Sequence, residues 1–219
     1  TGVLALLVAA ALAMALPNLA APPGIPRPAV GLPQFARSPG SGAALVLAMV
    51  GDFLRGGVLF TALPLAGEIR HYPISAIATA IALMSGAEIL ALQVAYRIIG
   101  RAGVITVLVT SFLVGTLCAS LLALEPSTTT YFVASTLFGI SLAGATASLP
   151  VRVVAQGGES SAGLAKFRIS AGIGILAGSV GCAVLANRIS MAGLFGLIAL
   201  ILLCSAHLAR VVGRRSRWA

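Results

Sequence analysis

Charge is what this sequence has least of. Asp, Glu, Lys and Arg make up 9% of its 219 residues, where soluble domains carry about 25%. Hydrophobic residues reach 59% and the mean hydropathy is +1.07, which excludes a water-soluble fold. Histidine occurs twice, at 71 and 207. Neither lies one helical turn from another ligand, so the HExxH arrangement of a metalloprotease is absent, as are GxSxG, the P-loop and the dinucleotide fingerprint. His71 reads as a solvated loop residue and His207 as an interfacial one. The three cysteines, Cys118, Cys182 and Cys204, fall singly inside apolar runs. An odd count with wide spacing builds neither a disulfide framework nor a zinc site, and they read as packing residues. No enzyme activity, metal or cofactor is expected. Aromatics are only 5%, with the one tryptophan at 218, so no aromatic cage for a cationic ligand is evident.

What charge there is leans one way: 14 bases against five acids, a formal +9. In a soluble chain that excess points to nucleic acid. Here the bases stand singly or in small groups between apolar runs, so membrane topology explains them and nucleic acid is not an expected partner.

A helix crossing about 30 Å of hydrocarbon needs roughly 20 apolar residues. Six segments qualify: 43–65, 74–95, 102–123, 130–151, 168–186 and 190–209. Residues 2–16 make a shorter seventh run. A signal peptide has this length, but no base precedes the run and no small-residue cleavage site precedes Pro17. Residues 1–16 are instead read as the end of a transmembrane helix that begins before Thr1. The Pro-rich stretch 17–42 is a linker, and 210–219 a basic tail. Lys and Arg collect on the cytoplasmic side of short loops. With six spans, Arg27, Arg37, Arg97, Arg101, Arg152, Lys166, Arg168, Arg210, Arg214, Arg215 and Arg217 share one side, against Arg70 and Arg188 on the other. Linker and C-terminus are thereby placed in the cytoplasm.

An ionised side chain at mid-bilayer is costly and usually marks a pathway or a gate. Three stand out: Asp52, Arg55 and Glu88. The three-residue spacing puts Asp52 and Arg55 on one helix face. At 1.5 Å per residue they lie roughly 14 and 18 Å from the linker end of the first span, and Glu88 roughly 10 Å from the same side on the second. Two readings stay open. The cluster borders a wet cavity, with Glu88 as proton carrier, or Asp52 and Arg55 merely neutralise each other. Gly172, Gly174, Gly178 and Gly181 form a small-residue run with a GxxxG pair at 174 and 178, which permits close helix approach. Static packing and a smooth rocking surface both fit it. Gly56, Gly57, Pro64 and Pro150 mark candidate bends.

The segments Phe60 to Leu65 and Ala145 to Val151 each close the first helix of a three-helix set, 43–123 and 130–209. Tyr96, Arg97, Gly100, Arg101 and Gly103 follow the second span as a basic loop. With the six spans and the Pro-rich linker, these features resemble the C-terminal half of a major facilitator superfamily transporter. The resemblance implies an all-α membrane protein, a six-helix bundle of two inverted three-helix repeats. It implies alternating access to a central cavity lined by the first, second, fourth and fifth spans, with Arg97, Gly100 and Arg101 as a cytoplasmic loop gate and the third and sixth spans facing lipid. Thr61, Ser85, Gln93, Ser141, Thr146 and Ser148 are the polar lining candidates. The expected function is secondary active transport of a small organic solute in a bacterial inner membrane, proton-coupled and, from the short linker, outward. The expected partners are the lipid bilayer, the small-molecule solute, protons and the missing N-terminal half of the same transporter. The alternative is a transport-inactive interaction or sensor module whose Gly-rich faces bind a partner.

Overall fold

Apolar runs of this length leave the backbone no hydrogen-bond partner but itself, and the chain winds into helices throughout. The computed structural model describes residues 41–124, 127–157 and 161–215. The expected helix end at 1–16, the linker up to residue 40 with Arg27 and Arg37, and residues 216–219 with Arg217 lie outside the described residues. The elements are α1 (Ser41–Leu54), a π-helical segment (Arg55–Ala62), α2 (Leu63–Ile69), α3 (Ile74–Ala102), α4 (Val104–Ala123), α5 (Thr128–Gly157), α6 (Ser161–Ala186) and α7 (Met191–Arg215). Among the described residues there is no strand. Six helical stretches are long and apolar enough to cross a membrane, the first of them formed by α1, the π segment and α2 in one run.

Several helices outrun their apolar cores, because nothing in the sequence stops them where the hydropathy falls. α3 continues through Tyr96, Arg97, Gly100 and Arg101, so the expected basic loop is instead the exposed last turns of a helix. Its connection to α4 is the single residue Gly103, at φ 83°, a left-handed conformation that glycine adopts without penalty. α5 runs through Arg152, and Lys166 and Arg168 lie on α6, so the loop expected at 152–168 is mostly helix. α7 likewise absorbs the basic tail as far as Arg215.

The π segment has a local cause. Pro64 has no N–H, and its ring crowds the carbonyl four residues earlier; Gly56 and Gly57 offer little side-chain resistance to rewinding. The turn widens, and the Leu63 N–H reaches the carbonyl of Val58, five residues back.

Four helix pairs carry most of the packing: α3 with α5, α4 with α7, α4 with α5, and α1 with α6. α5 is the most enclosed span, while α3 and α6 leave the largest faces uncovered. The core is filled by Tyr131, Phe112, Phe138, Phe195 and a set of leucines, all fully buried. Cys118 and Cys182 are buried within it as expected of packing residues, whereas Cys204 is exposed on α7. The pairing of α1 with α6 rests on glycine: Gly56, Gly57, Gly174 and Gly178 are all buried where the two backbones meet. At the opposite end of the first span, the N–H of His71 reaches the Glu68 carbonyl (2.9 Å) and that of Tyr72 the Gly67 carbonyl (2.9 Å). This closes α2 as a Schellman cap, with His71 at φ 57° in the place that glycine usually takes. His71 is therefore a helix terminator as well as an exposed residue.

Candidate functional site

The first two turns after α1 place Arg55 at the start of the π segment, facing inward. Its guanidinium is the hub of a polar cluster drawn from three spans. Nη1 donates to Asp52 Oδ1 at 3.3 Å. Nη2 donates to Glu88 Oε1 on α3 and to Thr146 Oγ1 on α5 at 2.7 Å. The Thr146 hydroxyl in turn lies 3.4 Å from Glu88 Oε1, completing the ring of contacts. The three charged side chains are 14–26% exposed, so they are withdrawn from bulk solvent without being sealed. One cation thus serves two carboxylates. Asp52 and Arg55 do pair, but not alone: Glu88 shares the same guanidinium. Glu88 also lies midway along α3 rather than near its end, because the helix continues to Ala102.

The cluster forms one wall of a cleft of about 450 Å³. Asp52, Arg55 and Thr146 border it directly, with Tyr96 from α3, Pro150 from α5 and Arg168 from α6; Glu88 stands behind Arg55. α4 and α7 contribute nothing to it. Leu142, Leu149, Phe167 and Ile175 supply the apolar remainder. A site of this size, mostly apolar with a few convergent polar groups, is of the kind that binds small molecules.

The other residues singled out from sequence separate. Thr61 donates to the Ser179 carbonyl at 3.3 Å, and Ser179 Oγ donates to the Gly56 carbonyl at 3.2 Å. Both bonds tie the π segment to α6, and the second gives the Gly56 carbonyl of the widened turn a side-chain partner. Ser141 is buried and donates to the Ser111 carbonyl at 2.7 Å, inside the contact of α4 with α5. Ser85 is half-buried and Gln93 exposed on α3, and neither borders the cleft. Gly174 and Gly178 pack against α1 and the π segment, and a Cβ added at Gly181 would come within 3.6 Å of the Phe53 ring. Gly172 does not pack: a side chain there would meet nothing within 4 Å, and it borders the cleft instead. Arg97, Gly100 and Arg101 are exposed at the end of α3, apart from the cluster.

Ser148 is wholly buried, away from the cleft, and its Oγ has no hydrogen-bond partner among the described residues. One helical turn on, Arg152 is 7% exposed, with Nε and Nη2 also unpartnered among the described residues. The sequence reading had placed this base in a loop. A buried, unpaired guanidinium is destabilising, and an unbranched apolar side chain of similar length removes the cost. Arg152→Met is expected to raise the thermal unfolding midpoint in detergent, by the equivalent of about 1–3 kcal/mol. A lowered midpoint would show the guanidinium to be a net stabiliser.

No protein-family model, curated protein or solved structure matches the chain. The functional argument therefore rests on the cluster and the cleft.

Proposed function

We propose that the chain is the six-span half of a secondary active transporter that moves a small organic solute by alternating access, with the proton as coupling ion and efflux as the direction. One observation carries the reading: an Asp and an Arg of one span and a threonine of another stand on the wall of a cleft, with a Glu of a third span bonded to the Arg and the threonine, inside a largely apolar bundle. Ionised groups are expensive there and are retained chiefly where ions or solutes pass. The helix pairing supports the same reading. First pairs with fifth, second with fourth and third with sixth span, pairings that map onto one another when the two three-helix sets are exchanged, as in the inverted repeats of major facilitator transporters, although the close contact of third with fourth span has only a weak counterpart between sixth and first. The uncovered apolar faces of α3 and α6 suit contact with a second, N-terminal half. In this reading the ends of α3 and α7 that carry Arg97, Arg101 and Arg210 face the cytoplasm.

The coupling follows from the shared cation. With both carboxylates ionised, Arg55 holds α1, α3 and α5 together. A proton on Glu88 removes its claim as a carboxylate and leaves Arg55 to Asp52 and Thr146, which loosens the tie between the spans. The groups that bear on Glu88 are Arg55 and, behind it, Asp52 from the first span and Thr146 from α5. The test is proteoliposome flux of the full-length protein over a panel of organic solutes, with and without a pH gradient. Glu88→Gln is expected to remove the dependence of flux on the gradient. Flux in that variant with the parent's pH dependence would overturn the assignment.

A further inference from the structure

The cleft is lined by charges of both signs from two helices. On the first span stands Asp52, held at 3.3 Å by a guanidinium whose other contacts, to Glu88 and Thr146, are closer. An ionised carboxylate offers about four lone-pair sites, so Asp52 keeps acceptor capacity toward the cleft. On α6 stands Arg168, which borders the same space and makes no hydrogen bond or ion pair among the described residues. It is close enough to interact electrostatically with Asp52. The four charges at the site, Asp52, Glu88, Arg55 and Arg168, cancel.

That balance discriminates among solutes. A cation drawn to Asp52 meets Arg168 uncompensated, and an anion drawn to Arg168 meets Asp52. A molecule carrying both charges pairs with the part-buried Asp52 and with Arg168, which is exposed on α6, so neither of its own charges is left without a partner. The rest of the lining, Leu142, Leu149, Phe167 and Ile175, is apolar and suits an aliphatic side chain. We propose that the cleft binds a small zwitterion with an apolar side chain, an amino-acid-like solute whose carboxylate lies on Arg168 and whose ammonium lies on Asp52. The proposal deepens the transport reading and rests on it for the movement of the solute, while binding is measurable separately.

Equilibrium binding to the purified full-length protein uses three probes: L-leucine, L-leucinamide, which keeps only the ammonium, and N-acetyl-L-leucine, which keeps only the carboxylate. Each lost charged contact is expected to weaken binding by about tenfold or more. Arg168→Gln is expected to bring leucine down to the level of leucinamide, and Arg168→Lys to recover part of the difference, which separates charge recognition from damage to the fold. Equal affinity for the three probes, no saturable leucine binding, or leucine binding untouched by Arg168→Gln in a folded protein overturns the proposal. Proton-driven flux over the wider panel separates the two readings. Leucine bound through Arg168 but never moved leaves the zwitterion site and removes transport. Flux of another solute with no preference for leucine leaves transport and removes the zwitterion site.

Discussion

Replacing Arg55 by glutamine is expected to abolish solute flux and to destabilise the protein by about 2–3 kcal/mol, the largest effect of any single change at the site. The reason is arithmetic of charge. Asp52 and Glu88 both lean on one guanidinium, and without it two carboxylates are left in a half-dry pocket, Glu88 with the Thr146 hydroxyl and Asp52 with only the more distant charge of Arg168. Removing one member of a buried ion pair leaves the other's desolvation uncompensated, and here it leaves two. The side chains are partly exposed, so the loss is placed below the cost of breaking a fully buried pair. Arg55→Lys is expected to fall between, because a single ammonium cannot fork toward Asp52, Glu88 and Thr146 at once. The double change Arg55→Gln with Glu88→Gln removes one of the stranded charges, and its unfolding midpoint is expected to recover toward the parent while flux stays lost. Thermal unfolding in detergent and proteoliposome flux, measured on the same preparations, check both halves. An Arg55→Gln protein with the parent's midpoint would mean that the carboxylates are satisfied from elsewhere, and the hub would lose its place in the argument.

The sequence carried the helices and the rough depth of the charges but not the rotation of each helix about its axis. Six spans followed from apolar length alone, and the three-residue spacing of Asp52 and Arg55 put them on one face. What Glu88 touches was illegible, since it depends on how α3 is turned against the first span. Thr146 and Ser148 make the same point. Two residues apart on α5, they are about 200° apart around the helix, so only Thr146 reaches the cleft. α5 is so enclosed that polarity gives no phase to read. Arg152 was misplaced for a related reason: hydropathy marks where a span leaves the apolar layer, not where the helix ends, and α5 carries its base along. The π turn left a trace in Gly56, Gly57 and Pro64, legible as a bend but not as a widening. Among the glycines, the GxxxG pair at 174 and 178 was informative because four residues return to the same face, while Gly172 falls on another. Gly139 has no glycine four residues away, so its spacing alone did not mark it as a point of backbone contact.

Valine at 178 or 174 is expected to prevent folding or to cost about 3 kcal/mol or more, at the upper end of what overpacking inflicts. A Cβ on Gly178 would fall against the Phe53 carbonyl and 2.8 Å from the Gly57 nitrogen; one on Gly174 would fall against the Met49 carbonyl and 3.0 Å from the Phe53 nitrogen. These are backbone atoms of α1 and the π segment, so no flexible side-chain end can swing aside. The helices must separate, and with them go the bonds from Thr61 and Ser179 that hold the widened turn. Gly139→Val is expected to do the same between α5 and α3, where the Met84 carbonyl blocks the new atom. Gly172→Val is the internal control. It meets nothing within 4 Å, so its midpoint is expected to hold or to rise slightly, by about 0.5 kcal/mol at most, because valine is a better helix former than glycine, while its place on the cleft wall reduces room for solute. Size-exclusion profiles and thermal midpoints of the four variants decide the matter. Equal tolerance at 172 and 178 would mean that α1 and α6 do not meet backbone to backbone, and the cleft between them would lose the support that fixes the distance from Asp52 to Arg168.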